Sequence, residues 1–143
     1  MQVPHDTAIL VADGRKSLFF RNRGDAAAPE LSVIEKEGHK DAAHHEIASD
    51  LAGRAANTLG SSMEEVDFHQ QEEDRFAAET ARMLKERALR HEYEALVIVA
   101  PPRTLGELRK HYHVEVERRI VAELSKDLVN LPVAEIEKIL QDS

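Results

Sequence analysis

Residues 95–100, ALVIVA, form an unbroken apolar run, and they constrain the fold more than any other stretch. A short apolar run without polar alternation suits a central parallel strand covered on both faces. Such a strand needs crossover connections and helices on either side of its sheet. The run ends at Pro101-Pro102, and a helix-like stretch, TLGELRKHY, follows at once. In open α/β sheets, ligands bind in the crevice outside the carboxyl ends of the strands. This junction is therefore the first place to look for a site.

The elements around that strand can be read in order. TAILVA (7–12) is a short strand, ended by Asp13-Gly14, a pair that suits the centre of a type I′ hairpin turn. RKSLFFRNR (15–23) forms the second strand, with Leu18 and Phe20 on one face and Phe19 opposite among charges. After a loop at Gly24–Pro29, ELSVIEKE (30–37) reads as a third strand, completing an antiparallel meander. Residues 37–71 read as a loop-rich insertion; Ile47, Leu51 and Ala55 suit a short helix, while Gly53, Gly60 and Ser61-Ser62 break anything longer. A helix is expected from about Glu72 to His91, with Phe76, Ala77, Thr80, Ala81, Met83, Leu84 and Ala88 as its buried stripe.

Behind the central strand, Thr104-Leu105-Gly106-Glu107 matches a capping box, which starts the second helix at Thr104. RRIVAELSKDLV has both strand and helix spacing; we read a strand near 120–125. Pro132 opens a last helix whose apolar face is Val133, Ile136, Ile139 and Leu140. The order is βββαβαβα. Right-handed crossovers place strand four beside strand one and parallel to it. The expected fold is an α/β, ribonuclease H-like mixed sheet of five strands in the order 3-2-1-4-5. A single domain spans 1–143, and Asp13 and Pro101 become neighbours, with Arg15 and Arg103 close by.

Composition narrows the function. Aromatic residues are only 4% of the chain, so aliphatic residues and alanine must build the core. No window reaches the ~18 apolar residues of a membrane span, the N-terminus lacks a secretory pattern, and there are no cysteines. The expected location is the cytoplasm, without membrane association. The net charge of −8 opposes generic nucleic-acid binding. The charge is uneven, however. Glu64, Glu65, Asp67, Glu72, Glu73, Asp74 and Glu79 face Arg75 alone within one segment. Arg15, Lys16, Arg21 and Arg23 crowd an early segment, and Arg103, Arg109, Lys110, Arg118 and Arg119 a late one.

The candidate chemistries divide on these residues. The Pro101–Arg103 corner reads first as structure, because a capping box satisfies helix amides that could otherwise hold an anion beside Arg103. A Mg²⁺-dependent nuclease would use Asp13, yet the end of strand four offers Ala100-Pro101-Pro102 where a second carboxylate is needed. The segment HKDAAHHE, with His39, His44 and His45, lacks zinc-ligand spacing, and its histidines read as solvated or hydrogen-bonded. His111 and His113 flank Tyr112. No GxSxG, GxGxxG or P-loop is present, and no cofactor is expected.

Taken together, LVADGRKSLFF, ASDLAGRAANT, DRFAAETARML, LVIVAPPRTLGELR and SKDLVNLP resemble the bacterial host attachment protein family over nearly the whole chain. The resemblance implies kinship with the middle domain of eukaryotic and archaeal peptide-chain release factors, which has the same sheet. The family's motif positions fall on Asp13, Gly14, Gly53, Arg54, Phe76, Pro101, Pro102, Leu105, Gly106, Leu108, Arg109, Lys126 and Asp127. Of these and their neighbours, Asp13, Arg15, Arg54, Arg103, Arg109, Lys126 and Asp127 have the chemistry to bind a partner. Release factors of the eukaryotic type act through a Gly-Gly-Gln loop. This chain has none, and Gln70-Gln71 is expected in a polar acidic loop.

The expectation is a non-catalytic binding domain, associated with the ribosome or RNA through a basic face at the strand ends. An adaptor for an unidentified protein, acting indirectly in attachment through residues 64–79, is the alternative; the Asp13 nuclease is the second. The third strand, left as a sheet edge, also permits a homo-oligomer.

Overall fold

A computed structural model describes residues 1–38 and 61–143, with residues 61–67 described as backbone only. The elements are β1 (Ala8–Ala12), β2 (Lys16–Asn22), β3 (Leu31–Gly38), α1 (Ser61–Leu89), β4 (Leu96–Ala100), α2 (Pro102–Arg109), α3 (Val114–Glu117), β5 (Ile120–Ser125) and α4 (Val133–Asp142). The five strands form one mixed sheet in the order β3-β2-β1-β4-β5. β1 pairs antiparallel with β2 and parallel with β4, setting Leu10 opposite Ile98 and Val11 opposite Val99. This is the α/β topology expected from the strand order, with β5 on the residues read as a strand.

The central strands carry apolar residues on both faces because both faces are covered. On one side Leu10, Phe19, Leu96 and Ile98 pack with Ala77, Leu84 and Ala88 of α1, Leu105 and Leu108 of α2, and Val116. On the other, Ile9, Val11, Phe20, Val97 and Val99 pack with Leu128, Val129, and Ile136 and Leu140 of α4. Burying each such Leu or Ile side chain stabilises the fold by about 1.5–3 kcal/mol relative to exposure. Alanines at 77, 81 and 88 put little bulk between α1 and the sheet. Phe19, on the opposite face from Leu18 and Phe20, is buried, with the Tyr93 ring edge-on at 5.9 Å and the Arg87 guanidinium 5.2 Å above its ring.

Three local expectations are corrected. First, α1 begins at Ser61, not near Glu72, so Gln70-Gln71 lies within a helix. Serine is favoured at helix starts, and the pair read as a break is where this helix opens; the rest of the expected insertion, 39–60, lies outside the described residues. Second, α2 begins at Pro102 with Pro101 as its N-cap, and no side chain among the described residues caps it. Proline has no N–H to lose and its φ suits the first helical position. The Leu105 N–H already donates to the Pro101 carbonyl (2.9 Å), so Thr104 is inside the first turn and the capping box does not form.

Third, the β1–β2 turn is not type I′. Asp13 and Arg15 have negative φ, and the Asp13 N–H donates to the Lys16 carbonyl (2.9 Å), which makes Gly14-Arg15 the central pair. Asp13 occupies the first turn position, where its side chain can accept from following amides. A one-turn helix, α3, also precedes β5.

Candidate functional site

β1 and β4 end side by side, and the chain leaves them through the Asp13–Gly14 turn and the Pro101–Pro102 corner. Residues of α1 flank both exits. Between them lies a cleft lined by Asp13 and Gly14, by Glu73, Phe76 and Thr80 of α1, and by Arg103, Thr104 and Glu107 of α2. Its free volume is about 10 Å³, on the scale of one water molecule.

Each wall has an identifiable cause. The Asp13 carboxylate accepts from the Arg15 and Lys16 N–H groups through Oδ1, both at 2.7 Å, which pins the turn. Its Oδ2 takes no part in those bonds. Gly14 makes room for Glu73: a Cβ there would lie 2.9 Å from Glu73 Cγ. Glu73 Oε2 sits 3.6 Å from Nε of Arg103, whose side chain is otherwise exposed. Thr80 is 1% exposed, and its hydroxyl has no hydrogen-bond partner among the described residues.

Behind Glu73, the Asp74 carboxylate lies against the Glu107 side chain and accepts from Gln70 Nε2 at 3.1 Å. The contact with Glu107, more than any other interaction, holds Asp74 below the usual carboxylate range. Glu107 Oε1 also accepts from Lys110 Nζ at 3.1 Å. Four carboxylates, Asp13, Glu73, Asp74 and Glu107, thus line or flank the cleft, against Arg103 and Lys110.

The residues singled out from sequence therefore separate. Asp13 and Arg103 meet at the cleft, and Arg15 is exposed on the adjoining turn. Arg109 is at the far end of α2, with Nε 3.0 Å from Glu123 Oε2 on β5. Lys126 follows β5 at the same strand-end edge, where its N–H donates to the Ala100 carbonyl (3.1 Å). Its Nζ turns to Ser143 Oγ at the end of α4, 3.1 Å away, while Asp127 is exposed. Arg54, like His39, His44 and His45, lies outside the described residues. The basic residues expected at the strand ends are interspersed with carboxylates in the described residues. Arg103 and Arg109 are each matched by a glutamate, and the cleft is acidic.

Glu73, Thr80 and Glu107 were not among the expected site residues. The available signal was Thr80, a polar residue in an otherwise apolar helix stripe. His113 Nδ1 accepts from the Glu115 N–H (3.0 Å), capping α3. Among the described residues, no group of three or more His, Asp or Glu side chains is arranged to hold a metal. No helix among them is long and apolar enough to cross a membrane.

No protein of curated function matches this chain at a significant level. A family match covers nearly all of it, residues 6–140, and carries the release-factor part of the resemblance. By that match the chain belongs to bacterial archaeo-eukaryotic release factor family 12.

Proposed function

We propose that this domain works in translation as a non-catalytic docking module, engaging a component of the ribosome through the strand-end cleft. The family match over residues 6–140 carries the reading, since its name ties the sheet to release factors. The sequence lacks a Gly-Gly-Gln triplet, which argues for docking without ester hydrolysis. The cleft supports the choice of face, because it lies at the strand ends, where open α/β sheets bind ligands. Fold kinship alone does not carry function, so the reading needs a direct test.

That test is a sucrose-gradient profile of tagged protein from its native cells at low and moderate salt. Co-migration with ribosomal particles that weakens as salt rises is expected, together with its loss in the double variant Glu73→Lys/Glu107→Lys. Wild-type protein found only at the top of the gradient overturns the translation reading. The adaptor reading, linked to host attachment, then leads. It draws support from the carboxylates that run along α1 beside the cleft, and it predicts a protein partner outside the ribosome.

A further inference from the structure

We infer that the cleft is a receptor for a lysine side chain presented by a basic polypeptide segment of the partner. The inference rests on the docking reading above, and it names the chemistry of what docks.

Three independent observations lead to it. The rim is acidic, and phosphate would be repelled by Asp13, Glu73 and Glu107 while Arg103, which Glu73 already matches, is the one basic residue in the lining among the described residues. Thr80 lines the cleft, and its buried hydroxyl has no partner among the described residues. A buried polar atom left unpaired is costly and calls for an explanation, of which a ligand or water that it serves is one. The free volume, about 10 Å³, admits a group the size of a water molecule, which an ammonium head resembles. An ammonium donates three hydrogen bonds and accepts none, which suits a hydroxyl oxygen and carboxylates.

Phe76, Ala77 and Leu108 line the same cleft and are nearly fully buried, so only the ammonium head enters it and the methylene stem stays outside the rim. Entry requires Glu73 to exchange Arg103 for the incoming ammonium. That ion pair is long, at 3.6 Å, and the arginine side chain is 66% exposed. Exposed pairs of this kind contribute little stability, so the exchange costs little. Arg103 then acts as a displaceable plug, not as a ligand for phosphate.

The experiment is an NMR titration of the full chain, followed at the Thr80 methyl and the Gly14 amide. The probes are a lysine-containing peptide, the same peptide with norleucine for lysine, and an oligouridylate. The lysine peptide should shift both signals and norleucine should shift neither. Thr80→Val and Glu73→Gln should each weaken binding by about tenfold, the scale of one charge-assisted hydrogen bond. Arg103→Gln should tighten it, whereas a phosphate site would lose affinity.

Equal shifts with norleucine, cleft shifts with the oligouridylate alone, or weakening by Arg103→Gln would each overturn the inference. So would unchanged affinity in Thr80→Val, which would mark the void as the seat of a resident water only. Ribosome co-migration, read on the same variants, separates the two readings. If it survives Thr80→Val and Glu73→Gln unchanged, the lysine receptor is overturned and the translation reading stands. If wild-type protein never co-migrates yet binds the lysine peptide selectively, only the translation reading falls.

Discussion

Glu73 lies over Gly14, so closely that a Cβ added to the glycine would be 2.9 Å from Glu73 Cγ. The glycine is not needed for its backbone, since its φ is not in the left-handed region. It is needed for space. Gly14→Ala should therefore fold normally, with a cost of about 1 kcal/mol or less, because a glutamate can swing aside more easily than a packed core side chain. The displaced Glu73 loses its place beside Arg103. Thermal unfolding should show a small drop, and the Glu73 side-chain carboxyl signal should move. A large loss of stability would mean that Glu73 is held more rigidly than its contacts indicate.

Thr80 gives a prediction of opposite sign. Most substitutions at buried positions destabilise, but here the hydroxyl pairs with nothing among the described residues. Valine has nearly the same shape and removes the polar atom. Thr80→Val should raise stability by about 1 kcal/mol, the scale of an unsatisfied buried hydroxyl. A domain of this size should then gain a few degrees in Tm. A gain in stability with weaker binding of the lysine peptide is the pattern expected of a site kept for function. A loss of stability would mean the hydroxyl has a partner, such as an ordered water.

Asp13 separates a turn residue from a metal ligand. Its Oδ1 accepts from the Arg15 and Lys16 amides, a task that an asparagine side-chain oxygen can also perform. Asp13→Asn should preserve the hairpin within about 0.5 kcal/mol, and Asp13→Ala should cost about 1 kcal/mol per hydrogen bond lost. Denaturant unfolding of both variants checks this. Equal, large losses in the two would show that the negative charge itself matters, and would reopen Asp13 as a ligand for a cation.

Much of the fold was legible because it rests on long-range apolar patterning. ALVIVA reads as a strand buried on both faces, and the β5 segment was readable from the alternation of Ile120, Ala122 and Leu124. Local signals were less decisive. Ser61-Ser62 and Thr104-xx-Glu107 are both helix-start patterns, yet the first was read as a break, and the second lost to prolines two residues earlier. The site was harder still. Sequence shows charges, not which charges cancel, so Arg103 and Arg109 looked like one basic face until Glu73 and Glu123 were found beside them. Thr80 was read as core, and it is core. That its hydroxyl goes unpaired depends on backbone and side-chain positions contributed by α1, α2 and the hairpin together.

Tyr93, buried, and Tyr112, half-buried, pack against the α1 side of the sheet but differ in one respect. The Tyr93 hydroxyl donates to the Leu84 carbonyl at 2.8 Å, while the Tyr112 hydroxyl has no partner among the described residues. Tyr93→Phe should cost about 1 kcal/mol, and Tyr112→Phe should be neutral or stabilising. Burial, more than any other effect, pushes the Tyr93 phenol up to about 12 and raises that of Tyr112 as well. A raised folded-state value means that the folded protein holds the proton more tightly than the unfolded chain. The associated stability is complete below pH 10, the ordinary value, and is lost as pH rises through about 12 for Tyr93. Unfolding measured across pH 9–12 should therefore show a decline that begins near pH 10. Replacing both tyrosines with phenylalanine should flatten it, and a decline of undiminished slope in the double variant would assign the alkaline loss to other groups.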